Sequence, residues 1–600
     1  MPGESKTWAR LLGRLRELAR RHWQRALILR ERLFLNEETL HLLMAGIIGL
    51  IGAFTRRIYG LANELLQWSF LGGMGELVDL AESMAPWQRL LVPCLGGLGA
   101  GLVLYYGLRL LGNPGLSNLL EVVVAGDGRL SLRTAIVNAV SSLLSLSTGA
   151  SIGREGLIIQ VSATLSSKLG QLPKWPPYRL RLMVACGAAS AMAASYNTPI
   201  AGALFAAQIV LGNFSMKLFA PLVFSSVVAA VLSRSFFGIS QWYTVPTFDF
   251  TRLTELPWFI LLGVVCGAVG AGFLKMLRQA ENLFGRLPVP LYLRMALAGF
   301  MVGFIGLKYP EVWGNGYQAT DQLLHQRNPI LLAVVGLFVA KLLATTVSVG
   351  SGAVGGVFTP TLFLGAALGS AFGISLHAGG FAPNLQTGVF ALVGMAALLA
   401  ATTHSPLLAI LMIFELSLNY SLMPAFMLAC VVSTLVARSL HPESIYTEPL
   451  RRKGFQLQRE STRIGAATEA TVADLMRQPV PPLRETTTFQ EIADRFLTSS
   501  NNFLPVVDEQ SKLLGVVALQ DLKEYLHAGQ ELSSVIAFDV MRPPPNCVTP
   551  TQTLPDALPV LLTSELQTIP VVSPENKLVG GLARNEALGV LGEAISARRS

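Results

Sequence analysis

The residues Gly153-Arg154-Glu155-Gly156 stand directly before the apolar run Leu157 to Leu165. An Arg-Glu pair at the edge of a membrane segment is costly, and ionisable groups there face a pathway rather than lipid. A helix starting near Glu155 would aim its unpaired N–H groups and the positive end of its dipole at the preceding loop, which makes an anion site. A carboxylate is itself an anion. Glu155 can therefore fill that site, compete with a permeating anion, and yield on protonation or displacement, which is the chemistry of a gate. A neutral Arg154–Glu155 ion pair capping the helix is the structural alternative. The second break, Gly350 to Pro360, follows the same logic: glycines permit close backbone approach, Pro360 suits a first helical turn, and the amides of Val357 and Phe358 would point at an anion.

The elements that must position these residues follow from how the charge is distributed. Only 14% of the 600 residues are charged, against roughly 25% in a typical globular protein. Residues 1–38 hold 14 charges and residues 451–600 hold 32, and between Asn328 and Ala437 only Lys341 and Glu415 are charged. Such a middle section lies in lipid. This excludes a cytosolic enzyme, a secreted disulfide scaffold and a disordered chain. The five cysteines are odd in number and scattered, without a CxxC pair, so neither a disulfide framework nor a zinc site is expected.

The apolar segments are punctuated by Gly, Pro and charge, and many are shorter than the roughly 20 residues of a perpendicular crossing. Such half-helices are tolerated where their ends line a cavity or are buried in protein, and they point to a transport pathway. The blocks 40–235 and 257–440 are of similar size, each with one Gly-rich break, which an inverted structural repeat would explain. The predicted fold is an all-α polytopic membrane protein with broken, tilted helices, followed by an α/β pair. Residues 1–38 carry nine Lys or Arg against five Glu. They read as a basic cytoplasmic segment beside the inner membrane surface, with a nucleic-acid arm as the competing possibility.

Beyond about Thr462 the composition becomes that of a soluble domain with an internal repeat. VADLMRQPV (472–480) matches AFDVMRPPP (537–545), and FLPVVDEQSKLLGVV (503–517) matches TIPVVSPENKLVGGL (568–582), at a constant offset of 65 residues. Each copy reads as a helix, a strand, an amphipathic helix, two strands and a helix. This resembles a tandem pair of CBS domains, placed at 466–530 and 531–595, a module that often binds adenine nucleotides. The ribose signature of that family, Ser/Thr-x-x-Asp, is replaced by Ala518-Leu519-Gln520-Asp521 and Ala583-Arg584-Asn585-Glu586. With both hydroxyls missing, a structural or dimer-stabilising pair stands beside a nucleotide sensor.

The motifs GREG (153–156), GGVFTP (355–360) and Tyr446 in Ser444-Ile445-Tyr446 together resemble the CLC family of chloride channels and chloride/proton antiporters, over a transmembrane domain at 39–450. The resemblance implies a bacterial inner-membrane homodimer with both termini cytoplasmic, monovalent anions and membrane lipid as partners, and no nucleic acid. Chloride is the implied transported ligand, with no cofactor or metal. It also implies that Glu155 is the external gate, that Val357 and Phe358 offer backbone donors to a central anion, and that the Tyr446 hydroxyl completes that site. The candidate anion-binding set is Pro114, Gly115, Arg154, Gly156, Val357, Phe358 and Tyr446.

Two positions depart from the family pattern. Where Gly-Ser-Gly-Ile-Pro is expected, the chain has Asn113-Pro114-Gly115-Leu116-Ser117, so Pro114 replaces a serine whose hydroxyl would touch the anion. Proline has neither hydroxyl nor N–H, and in similar plant members it accompanies nitrate preference. Ile209 stands where the antiporters place an internal proton-carrying glutamate, which favours uncoupled, channel-like conduction over antiport.

Two other assignments compete. Gly149-Ala150-Ser151-Ile152-Gly153 fits the GxSxG nucleophile elbow of a serine hydrolase, with His404 in the same membrane domain, though the strand–turn–helix context is not predicted. A CBS-gated cation carrier would need intramembrane acids, whereas Glu121 and Glu415 read as buried, hydrogen-bonded structural carboxylates. His404 reads as a core histidine. The Pro114 substitution predicts a site less selective for chloride and open to nitrate: Pro114→Ser should raise chloride binding relative to nitrate in isothermal titration. Equal binding of the two anions to wild type and variant would refute this.

Overall fold

The computed structural model describes residues 37–73, 75–112, 119–124, 126–172, 175–212, 216–238, 243, 245, 253–325, 330–381, 385–453, 471–498, 501–522 and 532–588. Pro114, Gly115 and nearly all of the basic segment 1–38 lie outside the described residues. The chain divides into two units, Met1–Leu457 and Gln458–Ser600.

The first unit is helical. Seven helices among the described residues are long and apolar enough to cross a membrane, including Thr39–Leu71, Leu256–Arg286 and Phe358–Ala378. Several run further than the apolar runs predict. The first apolar run ends near residue 55, yet its helix continues through Arg56 and Arg57 to Leu71. The backbone ladder tolerates charge, and Arg56 is buried against protein. Shorter apolar helices, Leu132–Ser147, Pro199–Leu211, Leu291–Gly306, Thr387–Thr403 and Pro406–Ser417, lie among the long ones. Here the expectation of half-helices holds.

A repeat is visible in the packing of the two blocks. Met216–Ser235 packs on Glu37–Leu71 and on Pro177–Tyr196. In the second block Met423–Leu440 packs on Leu256–Arg286 and on Thr387–Thr403 in the same pattern. The two blocks meet through Pro86–Leu111 against Leu291–Gly306, where glycines bring the backbones together. A Cβ on Gly303 would lie 2.7 Å from the Leu90 carbonyl, and one on Gly299 would overlap the Pro93 carbonyl.

Each block also contains a matched helix break, offset by 207 residues, where a left-handed residue precedes a hydroxyl residue and a proline. These are Asn197-Thr198-Pro199 (φ 60° at Asn197) and His404-Ser405-Pro406 (φ 55° at His404). The breaks are joined by side-chain hydrogen bonds. The Glu415 carboxylate accepts from Ile200 N (2.9 Å) and Ala201 N (2.7 Å), satisfying orphan amides of the Pro199 helix. Gln208, which lies 207 residues before Glu415, accepts from the Ser405 hydroxyl. Glu415 is thus structural, as the sequence suggests. After the first break comes an α-helix, Pro199–Phe205, continued by a π-helical stretch, Ala206–Leu211.

In the second unit Leu483–Arg484 pairs parallel with Phe503–Val507, which pairs antiparallel with Leu513–Ala518. Thr568–Val572 and Leu578–Ala583 repeat that hairpin, including a bulge between Val571 and Val572 that matches Val506/Val507. The opening helices of the two copies are exchanged, which the linear repeat does not reveal. Val472 of the first copy packs in the core of the second with Val548, Leu561 and Leu582, while Ala537 and Val540 of the second pack with Leu483, Phe489 and Val517 of the first. Backbone pairs seal the exchange symmetrically: Arg477 N donates to Gly581 O (2.9 Å) and Arg542 N to Val516 O (2.8 Å). Ion pairs repeat the same symmetry, with Arg542 bidentate on Asp521 and Arg477 on Glu586 (2.8 Å).

Because Gly299 leaves no room for a side chain against Pro93, Gly299→Ala should cost about 1–3 kcal/mol by overpacking. The expected readout is an earlier loss of the monodisperse peak when detergent-solubilised protein is heated and passed over a sizing column.

Candidate functional site

Two hydrogen bonds join the Gly-rich breaks of the two blocks: Gly153 N to Gly356 O (2.6 Å) and Gly356 N to Gly153 O (2.7 Å). Glycine suits this close approach, since a Cβ on Gly156 would sit 3.0 Å from the Gly356 nitrogen, tighter than ordinary contact. Ser151 extends the junction, its N donating to Ser348 Oγ (3.2 Å) and its hydroxyl pairing with Thr345 (3.0 Å). The nucleophile-elbow candidate is therefore a fully buried, hydrogen-bonded side chain in a bend, without a strand before it.

From this junction two helices start, Glu155–Gln171 with Arg154 as N-cap and Phe358–Ala378 with Val357 as N-cap. No side chain caps either end, so their first N–H groups remain directed outward from the helix starts. A cavity of about 440 Å³ lies against both. Glu155, Gly156, Val357, Phe358, Tyr446 and Ile209 all line it, six positions that the sequence singled out from four separate segments. Tyr446 is set by its ring against Phe205 (5.8 Å between centroids) and by Ile445 N donating to Thr402 O (3.0 Å). Ile209 reaches the cavity from the π-helical stretch, a geometry that re-aims side chains and recurs at functional sites.

Arg154 turns elsewhere. Its guanidinium lies over the Tyr317 ring, 4.9 Å from the centroid. Glu155 is 1% exposed. Its Oε1 accepts from the Tyr317 hydroxyl (3.0 Å) and from Thr359, and Thr359 pairs in turn with the Tyr196 hydroxyl (2.7 Å). Buried Arg56 is the second cation within Coulombic reach of Glu155, and Tyr59 and Tyr243 also face it.

Sequence reasoning missed several residues that belong to this site. Asn138 and Gln160 line the cavity and approach each other at 3.5 Å; amides in the middle of apolar helices are the signal that could have found them. At the mouth stand Arg278, Glu281, Glu448 and Arg452, paired as Arg278–Glu448 (3.5 Å) and Arg452–Glu281 (2.6 Å). Beside the mouth, buried Glu121 takes an ion pair from Lys453 (2.5 Å), again a structural carboxylate. His404 is buried, and its carbonyl accepts from Arg438 (2.8 Å).

The profile of the voltage gated chloride channel family matches residues 95–438. The chain is a member of that family. Its C-terminal unit matches the CBS domain twice, at 472–528 and 536–592. This CLC chain is 43% identical over 418 residues to a ClcB-like protein of Ralstonia nicotianae, covering 68% of this chain and 96% of that one. It is 37% identical over 412 residues to the voltage-gated ClC-type chloride channel ClcB of Escherichia coli, covering 68% and 98%. Among solved structures it is similar to a slow cyanobacterial Cl−/H+ antiporter, with a TM-score of 0.60 and 26% identity over 70% of this chain and 98% of that one. A eukaryotic CLC transporter shares the fold at a TM-score of 0.58 and 19% identity, over 92% of this chain and 98% of that one.

One further residue supports the CLC site from behind. Lys341 is fully buried in Leu331–Gly350, donates to Val312 O and Gly314 O (2.9 Å each), and lies 5.3 Å from the Phe363 ring centroid. It ties down the turn that leads into Tyr317. Lys341→Met would leave two buried carbonyls without a donor, at roughly 1–3 kcal/mol each. Hydrogen exchange over residues 312–320, followed by mass spectrometry, should then rise about tenfold or more, while exchange at Glu155–Gln171 should change less.

Proposed function

We propose that the protein conducts monovalent anions, chloride and also nitrate, across the bacterial inner membrane through this cavity, with Glu155 as gate and no obligatory proton exchange. The observation that carries this is the convergence of Glu155, the amides at two helix starts and the Tyr446 hydroxyl on one cavity of about 440 Å³. Amide dipoles can replace the hydration of an anion while holding it weakly enough to leave. The carboxylate of Glu155 occupies the same end of the cavity and excludes the anion until it is protonated or displaced.

Uncoupled conduction is supported at the other end. Ile209 lines the cavity and cannot carry a proton, and its neighbour Gln208 is engaged by Ser405 as the partner of a structural cap. One observation favours proton-coupled exchange as the alternative: Glu281 and Glu448 also line the cavity mouth and could load a proton there. Both are engaged in ion pairs with arginines. The cytoplasmic side is assigned to that mouth, where Arg278 and Arg452 cluster, and with it both termini. Burial of the Ser151 hydroxyl supports transport rather than hydrolysis.

A second copy of the chain completes the assembly, with one pathway in each subunit. The CBS pair is assigned a structural role. A nucleotide does not fit it well, because the two ribose hydroxyl positions are Ala518 and Ala583, and both acids are engaged by Arg542 and Arg477.

In liposomes, Glu155→Ala should give constitutive chloride flux without pH dependence. A variant that keeps the wild-type pH profile refutes the gate. A chloride gradient across wild-type liposomes should drive no proton uptake of fixed stoichiometry, and tightly coupled uptake would refute uncoupled conduction.

A further inference from the structure

We infer that three buried hydroxyls form a clamp that holds the gate closed: Tyr317 and Thr359 donate to one oxygen of Glu155, and Tyr196 fixes Thr359 in its donating orientation. The clamp rests on Glu155 being the gate.

The assignment follows from counting protons. An ionised carboxylate only accepts, and a hydroxyl has one proton to give. Oε1 of Glu155 receives Tyr317 and Thr359. Thr359, its proton spent, can only accept from Tyr196, 2.7 Å away. All three protons therefore point one way, toward the carboxylate. Tyr196 and Thr359 are 0% exposed and Tyr317 is 6% exposed, so water does not compete for these donors.

Hydrogen bonds to an ionised group are about twice as strong as neutral ones, so two hydroxyls on one oxygen hold the Glu155 carboxylate in place at the helix start. Arg56 and Arg154 add positive charge on the same flank, and Tyr59, Tyr243 and Tyr446 are further titratable side chains among the described residues that face Glu155.

The three donors come from separate elements: the last residue of Pro177–Tyr196, the first of Tyr317–His325, and the second of Phe358–Ala378. Their rings are held by packing as well as by hydroxyls, Tyr196 on Phe358 (5.5 Å) and Tyr317 on Tyr243 (5.3 Å). Removing a hydroxyl therefore leaves the shape of the site in place. Tyr317 and Thr359 touch the gate directly, whereas Tyr196 is a positioning residue acting through Thr359.

The test is chloride flux in liposomes near neutral pH. Tyr317→Phe and Thr359→Val should each raise flux roughly five- to tenfold, as expected for loss of a hydrogen bond to a charged group. Tyr196→Phe should raise it less, and Thr359→Ser, which restores the hydroxyl, should reverse the gain of Thr359→Val. In a Glu155→Ala background none of these changes should add to the flux. Unchanged or lower flux in both Tyr317→Phe and Thr359→Val overturns the clamp, as does a gain that persists without Glu155. If Glu155→Ala opens the pathway and the hydroxyl variants do not, the clamp fails alone. If Glu155→Ala leaves flux and its pH dependence as in wild type, the gate itself fails.

Discussion

The double hydrogen bond between Gly153 and Gly356 is the contact on which the membrane unit depends. It ties the break of one block to the break of the other, and it sets the separation of two helix starts. Inside a bilayer a broken helix is tolerable only if its open backbone groups find partners in protein. Here the two breaks partner one another, and the remaining amides at the starts of Glu155–Gln171 and Phe358–Ala378 face a shared cavity. Every other feature of the pathway takes its position from that junction: the carboxylate beside it, the hydroxyls beyond the carboxylate, and the tyrosine across the cavity.

The same economy recurs at the second pair of breaks. Glu415 caps the Pro199 helix and Gln208 meets Ser405 at the start of the Pro406 helix, related by the 207-residue offset of the blocks. A carboxylate and an amide in equivalent places each reach the opposite break, the carboxylate to backbone amides and the amide oxygen to a hydroxyl. This accounts for an acidic residue buried inside the membrane unit. It also leaves the Gln208 amide oxygen, next to Ile209, occupied by the Ser405 hydroxyl. The CBS unit uses exchange in a comparable way, with each copy completed by a helix from the other and locked by an arginine–acid pair.

Much of this was legible in the sequence for one reason, that charge and glycine are costly in membrane helices and survive where they have work. Glu155, Arg154, the two Gly-rich breaks and the membrane class could all be read from that cost. The hydrogen bonds joining the second pair of breaks, the hydroxyls around Glu155 and the anchoring of Tyr317 through Lys341 could not. Tyr196, Tyr317 and Thr359 are unremarkable in an apolar chain, and their partners lie 163, 162 and 204 residues away in sequence. The first helix extended past its apolar run because burial against protein, rather than lipid, absorbed Arg56.

The sequence by itself determined the two-part organisation, the membrane class, the identity of the gate candidate and the 65-residue repeat, since each is written in local composition or in spacing along one segment. The tertiary structure decided which amides share a cavity, which oxygen of Glu155 is occupied, where Arg154 turns, and which CBS copy each opening helix completes. These are matters of distance between segments far apart in the chain. Hydrogen-bond geometry and close packing set such distances, and periodicity does not encode them.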